Sequence, residues 1–98
     1  MTWIVIVDNG CDYSDHMHAP LIACDTRHKA DEAIRTWQEW YAAWPRDEDG
    51  MRESTWDDRA RAHMRFYPAS LGAIDEDFYD TYGSPTVAAI EIPDWSAP

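Results

Sequence analysis

Basic residues are scarce in this chain of 98 residues, and none follows Arg65. Eight Lys and Arg residues stand against 19 Asp and Glu residues, which gives a formal net charge of −11. Such a charge repels nucleic acids and anionic membranes, and it favours a partner that has a basic surface. Composition therefore argues against direct binding of nucleic acid and makes a basic protein partner the first hypothesis to consider.

Long apolar runs are also missing, since the longest aliphatic run covers only residues 4–7. A membrane-spanning helix needs about 20 apolar residues, and a signal peptide begins with basic residues that this chain lacks at its start. We therefore expect an intracellular, cytoplasmic protein. Cysteine is equally sparse, and we expect both Cys11 and Cys24 to be free thiols.

Catalytic motifs are absent too: the chain has neither a glycine-rich phosphate loop nor a Gly-x-Ser-x-Gly motif. The remaining candidates are His63 with nearby acids and Cys11 with His16. A reactive thiol needs a positive environment that lowers its pKa, whereas the neighbours of Cys11 include Asp12 and Asp15. We therefore predict that the protein is not an enzyme and has no cofactor.

Potential metal ligands lie in two segments of the first half. They are Cys11, Asp12, Asp15, His16 and His18, followed by Cys24, Asp25 and His28. Zinc binds such side chains in a tetrahedron, but these spacings match no common zinc pattern. We expect the side chains of His16 and His18 to diverge and Cys24 to be a buried thiol of a strand. The sequence thus predicts no metal site and leaves a metal-stapled or catalytic protein as the third hypothesis.

What the chain does contain is apolar periodicity. Dense β-branched residues predict strands over residues 2–8 and 86–92, and a shorter strand over residues 21–24. The apolar spacing predicts helices over residues 29–44 and 55–66, and a helical turn within residues 75–82. Thr26 or Asp25 is the predicted cap of the first helix, and Ser54 with Asp57 that of the second. We predict one α+β domain over residues 1–98, with a small three-stranded sheet, antiparallel or mixed, and two main helices packed on one face.

Aromatic residues are abundant, with six Trp, five Tyr and two Phe. Trp37, Trp40 and Trp44 follow helical spacing, which is more typical of a core face than of a base-stacking surface on so acidic a chain. We expect Trp40 to lie nearest the edge of that face. Trp56 and Trp95 are expected to remain partly exposed as interface anchors.

One segment resembles a known group of proteins. Asp12-Tyr13-Ser14-Asp15 lies between two predicted strands, and residues 25–30 then open a helix. Residues 1–44 are similar in this respect to small, uncharacterised phage and prophage proteins with a Tyr-Ser-Asp loop between two strands. The resemblance implies a phage-like origin without implying an activity. A turn that uses Ser14 and Asp15 as backbone acceptors is the structural alternative.

The acidic composition is similar in character alone to that of anti-CRISPR proteins and other DNA-mimic inhibitors. We predict a non-enzymatic inhibitor that binds a basic, nucleic-acid-binding surface of a host defence protein, such as a CRISPR effector subunit. The predicted partner-binding residues are Asp75, Glu76, Asp77 and Asp80, then Asp47, Glu48, Asp49, Asp57 and Asp58, with Tyr79 and Tyr82 as aromatic contacts. The alternative is a small acidic regulatory or structural module, monomeric or homodimeric, whose charge serves solubility or salt tolerance.

Overall fold

The computed structural model describes residues 2–11, 16–74, 76–79 and 84–93, with the side chains of residues 76 and 77 left out. Along the chain the elements are β1 (Thr2–Asp8), β2 (His18–Cys24), α1 (Arg27–Ala42), α2 (Asp58–Met64), a 3-10 helix (Glu76–Tyr79) and β3 (Thr86–Ile92). Within this described part of the chain, none of the helices has the length and apolar character needed to cross a bilayer.

The three strands form one antiparallel sheet in the order β2-β1-β3. The α+β prediction is confirmed, and the sheet is antiparallel rather than mixed. β1 and β3 have the predicted bounds, because dense β-branched residues suit a pleated and partly buried surface. β2 begins three residues earlier than predicted, since His18 to Pro20 continue the pairing with β1. The pairing has a register shift between Val5 and Ile6, and Pro20 is tolerated because β2 is an edge strand.

Helix α1 begins after Thr26, whose hydroxyl accepts a hydrogen bond from the backbone N–H of Lys29 at 3.2 Å. The helix is displaced by two residues from the predicted 29–44, so Trp44 lies just beyond its end at Ala42. Trp44 nevertheless remains buried. The apolar stripe therefore predicted the buried face correctly, while a cap residue set the start of the helix.

Helix α2 is shorter than the predicted 55–66. Asp57 is its N-cap and accepts from the backbone N–H of Arg59 at 2.8 Å, so the helix starts at Asp58. Ser54 instead accepts from the N–H of Trp56 in the preceding turn. Trp56 is therefore outside the helix, with 78% of its surface exposed. Its predicted exposure is confirmed.

The core lies between α1 and one face of the sheet. Val5 and Val7 of β1 are fully buried there, beside Trp37, Trp40 and Trp44. The core interpretation of the Trp trio is confirmed, but the expected edge position of Trp40 is wrong, because its surface is only 6% exposed. Its Nε1 donates to the carbonyl of His63, so the indole is satisfied in the interior.

The opposite face of the sheet carries exposed apolar side chains. Because successive strand residues alternate between faces, the cross-strand pair Ile4 and Ile90 lies opposite the side that holds Val5 and Val7. Ile90 is 50% exposed and Ile92 is 41% exposed. This open face therefore differs from an ordinary polar sheet surface.

Candidate functional site

The acidic cluster of residues 47–49 lies in a tight turn closed by the bridge between Arg46 and Arg52. The carboxylate of Asp47 accepts from the backbone N–H groups of Asp49 and Met51, each at 2.9 Å. Asp47 therefore organises the turn, in the manner of an aspartate that satisfies the backbone two residues on. Glu48 and Asp49 are exposed, which leaves their carboxylates facing solvent. We call residues 47–50 the acidic turn.

The acidic turn is tied to the core at its base. The indole N–H of Trp44 donates to the carbonyl of Glu53 at 2.8 Å, and the N–H of Glu53 donates to the carbonyl of Pro45 at 2.9 Å. Arg46 adds a hydrogen bond to the carbonyl of Gly50 at 3.0 Å. These bonds present the exposed carboxylates from a fixed loop rather than from a free segment.

The second described acidic pair, Asp57 and Asp58, divides its roles in a similar way. Asp57 is half-buried and caps α2, and the backbone N–H of Arg59 holds the pKa of its carboxyl below the usual value. The guanidinium of Arg59 also pairs with Asp57 and with Glu53. Asp58 is exposed in the first turn of the helix. Of this pair, Asp58 is the residue whose side chain is open to a partner.

Tyr79 is wrongly predicted as a surface contact. Only 3% of its surface is exposed, and its phenol oxygen accepts a hydrogen bond from Nε1 of Trp37 at 3.3 Å. Phe78 and Tyr79 of the 3-10 helix pack into the aromatic core. The free energy gained by burying the two aromatic rings explains why they are inside the protein although their segment is acidic. Tyr79 is therefore a structural residue.

Asp75, Asp80 and Tyr82 lie outside the described residues, and the side chains of Glu76 and Asp77 are likewise outside them. The same holds for Trp95. Their predicted roles in partner binding stay predictions.

Much of the positive charge of the first half is engaged within the chain. Arg27 pairs with Asp31 at 2.9 Å, and Lys29 pairs with Asp25 at 2.9 Å, so each base faces an acid four residues away. His28 makes a similar contact with Glu32. Pairs at this spacing are neighbours on a helix surface and are worth little in stability. Their main consequence is that these bases are already matched by acids of the chain.

A cluster that the sequence did not predict joins the facing ends of β1 and β2. Asp8 is the last residue of β1, and its carboxylate oxygen Oδ2 contacts both histidines. The distance from Oδ2 to Nε2 is 2.7 Å for His16 and 2.9 Å for His18. The two imidazole rings lie 4.4 Å apart. The expected divergence of the histidines is wrong, because side chains two residues apart along an extended chain return to the same side.

The position of Asp8 follows from strand pairing. His18 is its cross-strand partner, and that register cannot be read from the spacing of the histidines alone. The contact with His16 and the backbone N–H of Gly10 hold the pKa of the Asp8 carboxyl below its usual value. A strand end placed eight residues before His16, with an Asn-Gly break between them, was the signal that could have located it.

The other residues singled out for chemistry have structural positions. Cys24 is a buried thiol at the end of β2, as predicted, and Cys11 is a half-buried free thiol. His63 stacks on Trp40, with ring centroids 5.2 Å apart, and its Nε2 contacts the backbone carbonyl of Trp40 at 2.7 Å. Asp12 and Asp15 lie outside the described residues. His63 thus belongs to the packing between the two helices.

A shallow groove of about 510 Å³ runs between β2 and α1, past Cys24, Asp25 and Lys29. Lysine becomes a nucleophile when its surroundings lower its pKa. The hydrogen bond that the Lys29 ammonium donates to the Asp25 carboxylate has the opposite effect and raises the pKa of Lys29. The amine therefore stays protonated at neutral pH, which makes it unsuited to nucleophilic attack.

No protein-family model, curated protein or solved structure matches this chain.

Proposed function

We propose that this chain is a non-enzymatic, phage-type inhibitor that acts in the host-cell cytoplasm by binding a basic, nucleic-acid-binding surface of a host defence protein. A subunit of a CRISPR effector is the partner class that we would test first. The observation that carries the proposal is the net charge of −11 together with the exposed carboxylates of the acidic turn and of Asp58. Such a surface attracts Lys and Arg side chains that normally contact phosphates.

The described contacts divide the predicted binding residues into two groups. Asp47 and Asp57 support the turn and the helix cap, whereas Glu48, Asp49 and Asp58 extend into solvent. Binding should therefore depend on the second group more directly. Residues 75–77 and 80, with Tyr82, remain proposed contacts from the sequence, and Tyr79 is removed from the set because it is buried.

A charge-matched comparison tests the proposed surface. The test variant Glu48→Gln/Asp49→Asn/Asp58→Asn removes three exposed charges and spares Asp47 and Asp57. A control variant, Glu32→Gln/Glu39→Gln/Glu91→Gln, removes three exposed charges from α1 and β3. Both variants have the same net charge. We expect only the test variant to weaken binding to a purified host CRISPR effector by tenfold or more. The reason is that it removes carboxylates from the proposed contact surface, whereas the control removes them from elsewhere.

The salt dependence of binding supplies an independent measurement. Raising the salt concentration from 50 to 200 mM should lower the affinity of the inhibitor for the effector by about tenfold or more, because salt screens the attraction between exposed charges. The inhibitor should also compete with the effector's DNA and should not bind free duplex DNA. Equal weakening by the two triple variants would refute the proposed surface, and salt-independent affinity would refute the electrostatic mode.

For residues 75–77, which the triple variant leaves intact, Asp75→Asn/Glu76→Gln/Asp77→Asn is the corresponding test. A large loss of affinity with an unchanged circular dichroism spectrum is expected. Retained affinity in this variant would remove that segment from the proposed surface.

The second candidate function is a small regulatory or structural module that self-associates through the open sheet face. The exposure of Ile90 and Ile92 favours it, because adjacent apolar residues on one face are typical of an interface. Sedimentation equilibrium of the wild type and of Ile90→Lys tests this candidate. A dimer that the substitution dissociates would support it, and a monomeric wild type at high concentration would contradict it.

A further inference from the structure

The cluster at the end of β1 has the composition of a transition-metal site. Two imidazole nitrogens and one carboxylate oxygen, from His16, His18 and Asp8, all lie within 4.8 Å of one another. Histidine nitrogen and carboxylate oxygen are ordinary zinc ligands, with bond lengths of about 2.0–2.2 Å, and two His with one carboxylate form a known three-ligand arrangement. We propose that Asp8, His16 and His18 form a binding site for a divalent transition metal, with Zn²⁺ as the best-suited ion.

The distances within the cluster are compatible with a shared ion. Ligands of a tetrahedral zinc ion are about 3.4 Å apart, given the bond lengths above. The two imidazole Nε2 atoms lie 2.7 Å and 2.9 Å from Oδ2 of Asp8. The carboxylate and the rings therefore need to separate by only several tenths of an ångström. Without a metal, the ionised carboxylate of Asp8 can only accept hydrogen bonds, so each Nε2 atom carries a proton and donates it. A bound metal ion would take the place of these protons.

Hydrogen bonds orient Asp8 and fix the backbone between the two histidines. Oδ1 of Asp8 accepts from the N–H of Gly10 at 2.7 Å, which leaves Oδ2 facing the histidines. Asn9 is fully buried and makes two bonds to Met17, the residue between the histidines: its N–H donates to the Met17 carbonyl at 3.0 Å, and its Oδ1 accepts from the Met17 N–H at 3.1 Å. Such supporting contacts orient metal ligands and raise their affinity.

The cluster is also open enough to admit an ion. The side chains of Asp8, His16 and His18 are 33%, 38% and 58% exposed. Three protein ligands leave a fourth tetrahedral position for water or for a group from a partner. The negative charge of the whole chain further raises the local concentration of cations. The site is independent of the proposed partner surface, because it shares no residue with it.

Titration of Zn²⁺ into the chelator-treated, 98-residue chain by isothermal calorimetry tests the proposal. We expect saturation at one equivalent, and we expect His18→Gln to weaken the affinity by at least tenfold. His28→Gln is the matched control, because His28 also contacts a carboxylate, that of Glu32, and among the described residues the pair is not part of a three-ligand group. The control should change the affinity by less than twofold. Absence of saturable binding in the wild type, or equal effects of the two variants, would overturn the proposal.

Cobalt(II) provides a second readout that uses the wild-type chain alone. Co²⁺ bound by nitrogen and oxygen should give visible ligand-field bands without a sulfur-to-cobalt charge-transfer band in the near ultraviolet, and excess Zn²⁺ should abolish the visible bands. A charge-transfer band would instead assign the metal to Cys11 or Cys24 and would overturn the assignment to Asp8, His16 and His18. This result does not depend on the folding of any variant.

Discussion

The indole N–H of Trp37 donates to the phenol oxygen of Tyr79 at 3.3 Å, joining α1 to a 3-10 helix 42 residues later in the chain. Both side chains are almost completely buried. The hydrogen bond therefore satisfies a donor that has no access to water, and it joins the 3-10 helix to the Trp-rich face of α1. Tyr79 contributes to the fold in a segment whose composition is typical of a surface.

Tyr79→Phe should destabilise the protein by about 1–3 kcal/mol, because it leaves the buried N–H of Trp37 without its acceptor. Urea unfolding followed by Trp fluorescence measures this change. Tyr67→Phe is the matched control: the Tyr67 hydroxyl donates to the carbonyl of Gly72 at 2.6 Å, but Tyr67 is only partly buried, so water can replace this bond more readily than the one at Tyr79. If Tyr67→Phe lowered the free energy of unfolding as much as Tyr79→Phe, the argument from burial would be contradicted.

The stability of the protein should fall at alkaline pH. Burial raises the pKa of Tyr67 to about 12 and also raises the pKa of Tyr79, whereas an unfolded tyrosine ionises near 10. The folded state therefore retains these phenol protons when the unfolded state begins to lose them. The corresponding stabilisation is complete below about pH 10 and is lost as the pH rises from about 10 toward 12.

Urea unfolding of the wild type and of Tyr67→Phe/Tyr79→Phe at pH 8 and pH 11 measures this dependence. The double variant should be less stable at pH 8 but should lose less stability on moving to pH 11. Parallel losses in the two proteins would show that other groups control the alkaline transition.

Alanine substitutions at two glycines with positive φ should destabilise the protein to different extents, because only one of the two positions lacks room for a Cβ atom. Gly10 has φ of +73° and Gly50 has φ of +78°, a region that costs other residues about 1–2 kcal/mol. A Cβ at Gly50 meets nothing within 4 Å, whereas a Cβ at Gly10 would collide with the backbone of Ser84. Gly50→Ala should therefore cost about 1 kcal/mol, and Gly10→Ala clearly more, in chemical denaturation. Equal costs would indicate that the approach of Ser84 to Gly10 is not maintained in solution.

Acid should weaken the start of α2. The pKa of Asp57 is lowered chiefly by the backbone N–H of Arg59, so the ionised cap is preferred in the folded state. The contribution of the ionised cap to folding stability is fully present above the ordinary carboxyl pKa of about 3.9. It is lost as the pH falls through the lower pKa that Asp57 has in the folded state. Asp57→Asn keeps a good capping side chain that does not titrate. The difference in stability between wild type and variant should therefore shift in favour of the variant between pH 6 and pH 2.5, and a constant difference would argue against this role.

The sequence predicted those parts of the fold that depend on local patterns. The bounds of β1 and β3 and the buried face of α1 follow from β-branched runs and from helical spacing. The predicted start of α2 at residue 55 is wrong, because Ser54 and Asp57 are both capping residues and the structure uses Asp57. A local pattern cannot choose between two adequate caps three residues apart.

The candidate sites depended on contacts between distant residues and were predicted less well. Tyr79 lies in an acidic segment, and its burial requires the 3-10 helix to pack under Trp37. The meeting of Asp8 with His18 requires the antiparallel register of β1 and β2. The exposure of the acidic turn could be predicted from composition, but the use of Asp47 to support it depends on backbone geometry.

The order of the sheet has a consequence for how the chain folds. Central β1 pairs on one side with nearby β2, but on the other side with β3, whose Ile92 pairs with Thr2 at the opposite end of the sequence. Closing so long a loop is entropically costly and slows folding relative to local pairing. During synthesis β1, β2 and α1 can assemble early, while the second edge of β1 stays unpaired until β3 emerges. That interval is the stage at which the nascent chain is most exposed to wrong strand pairing.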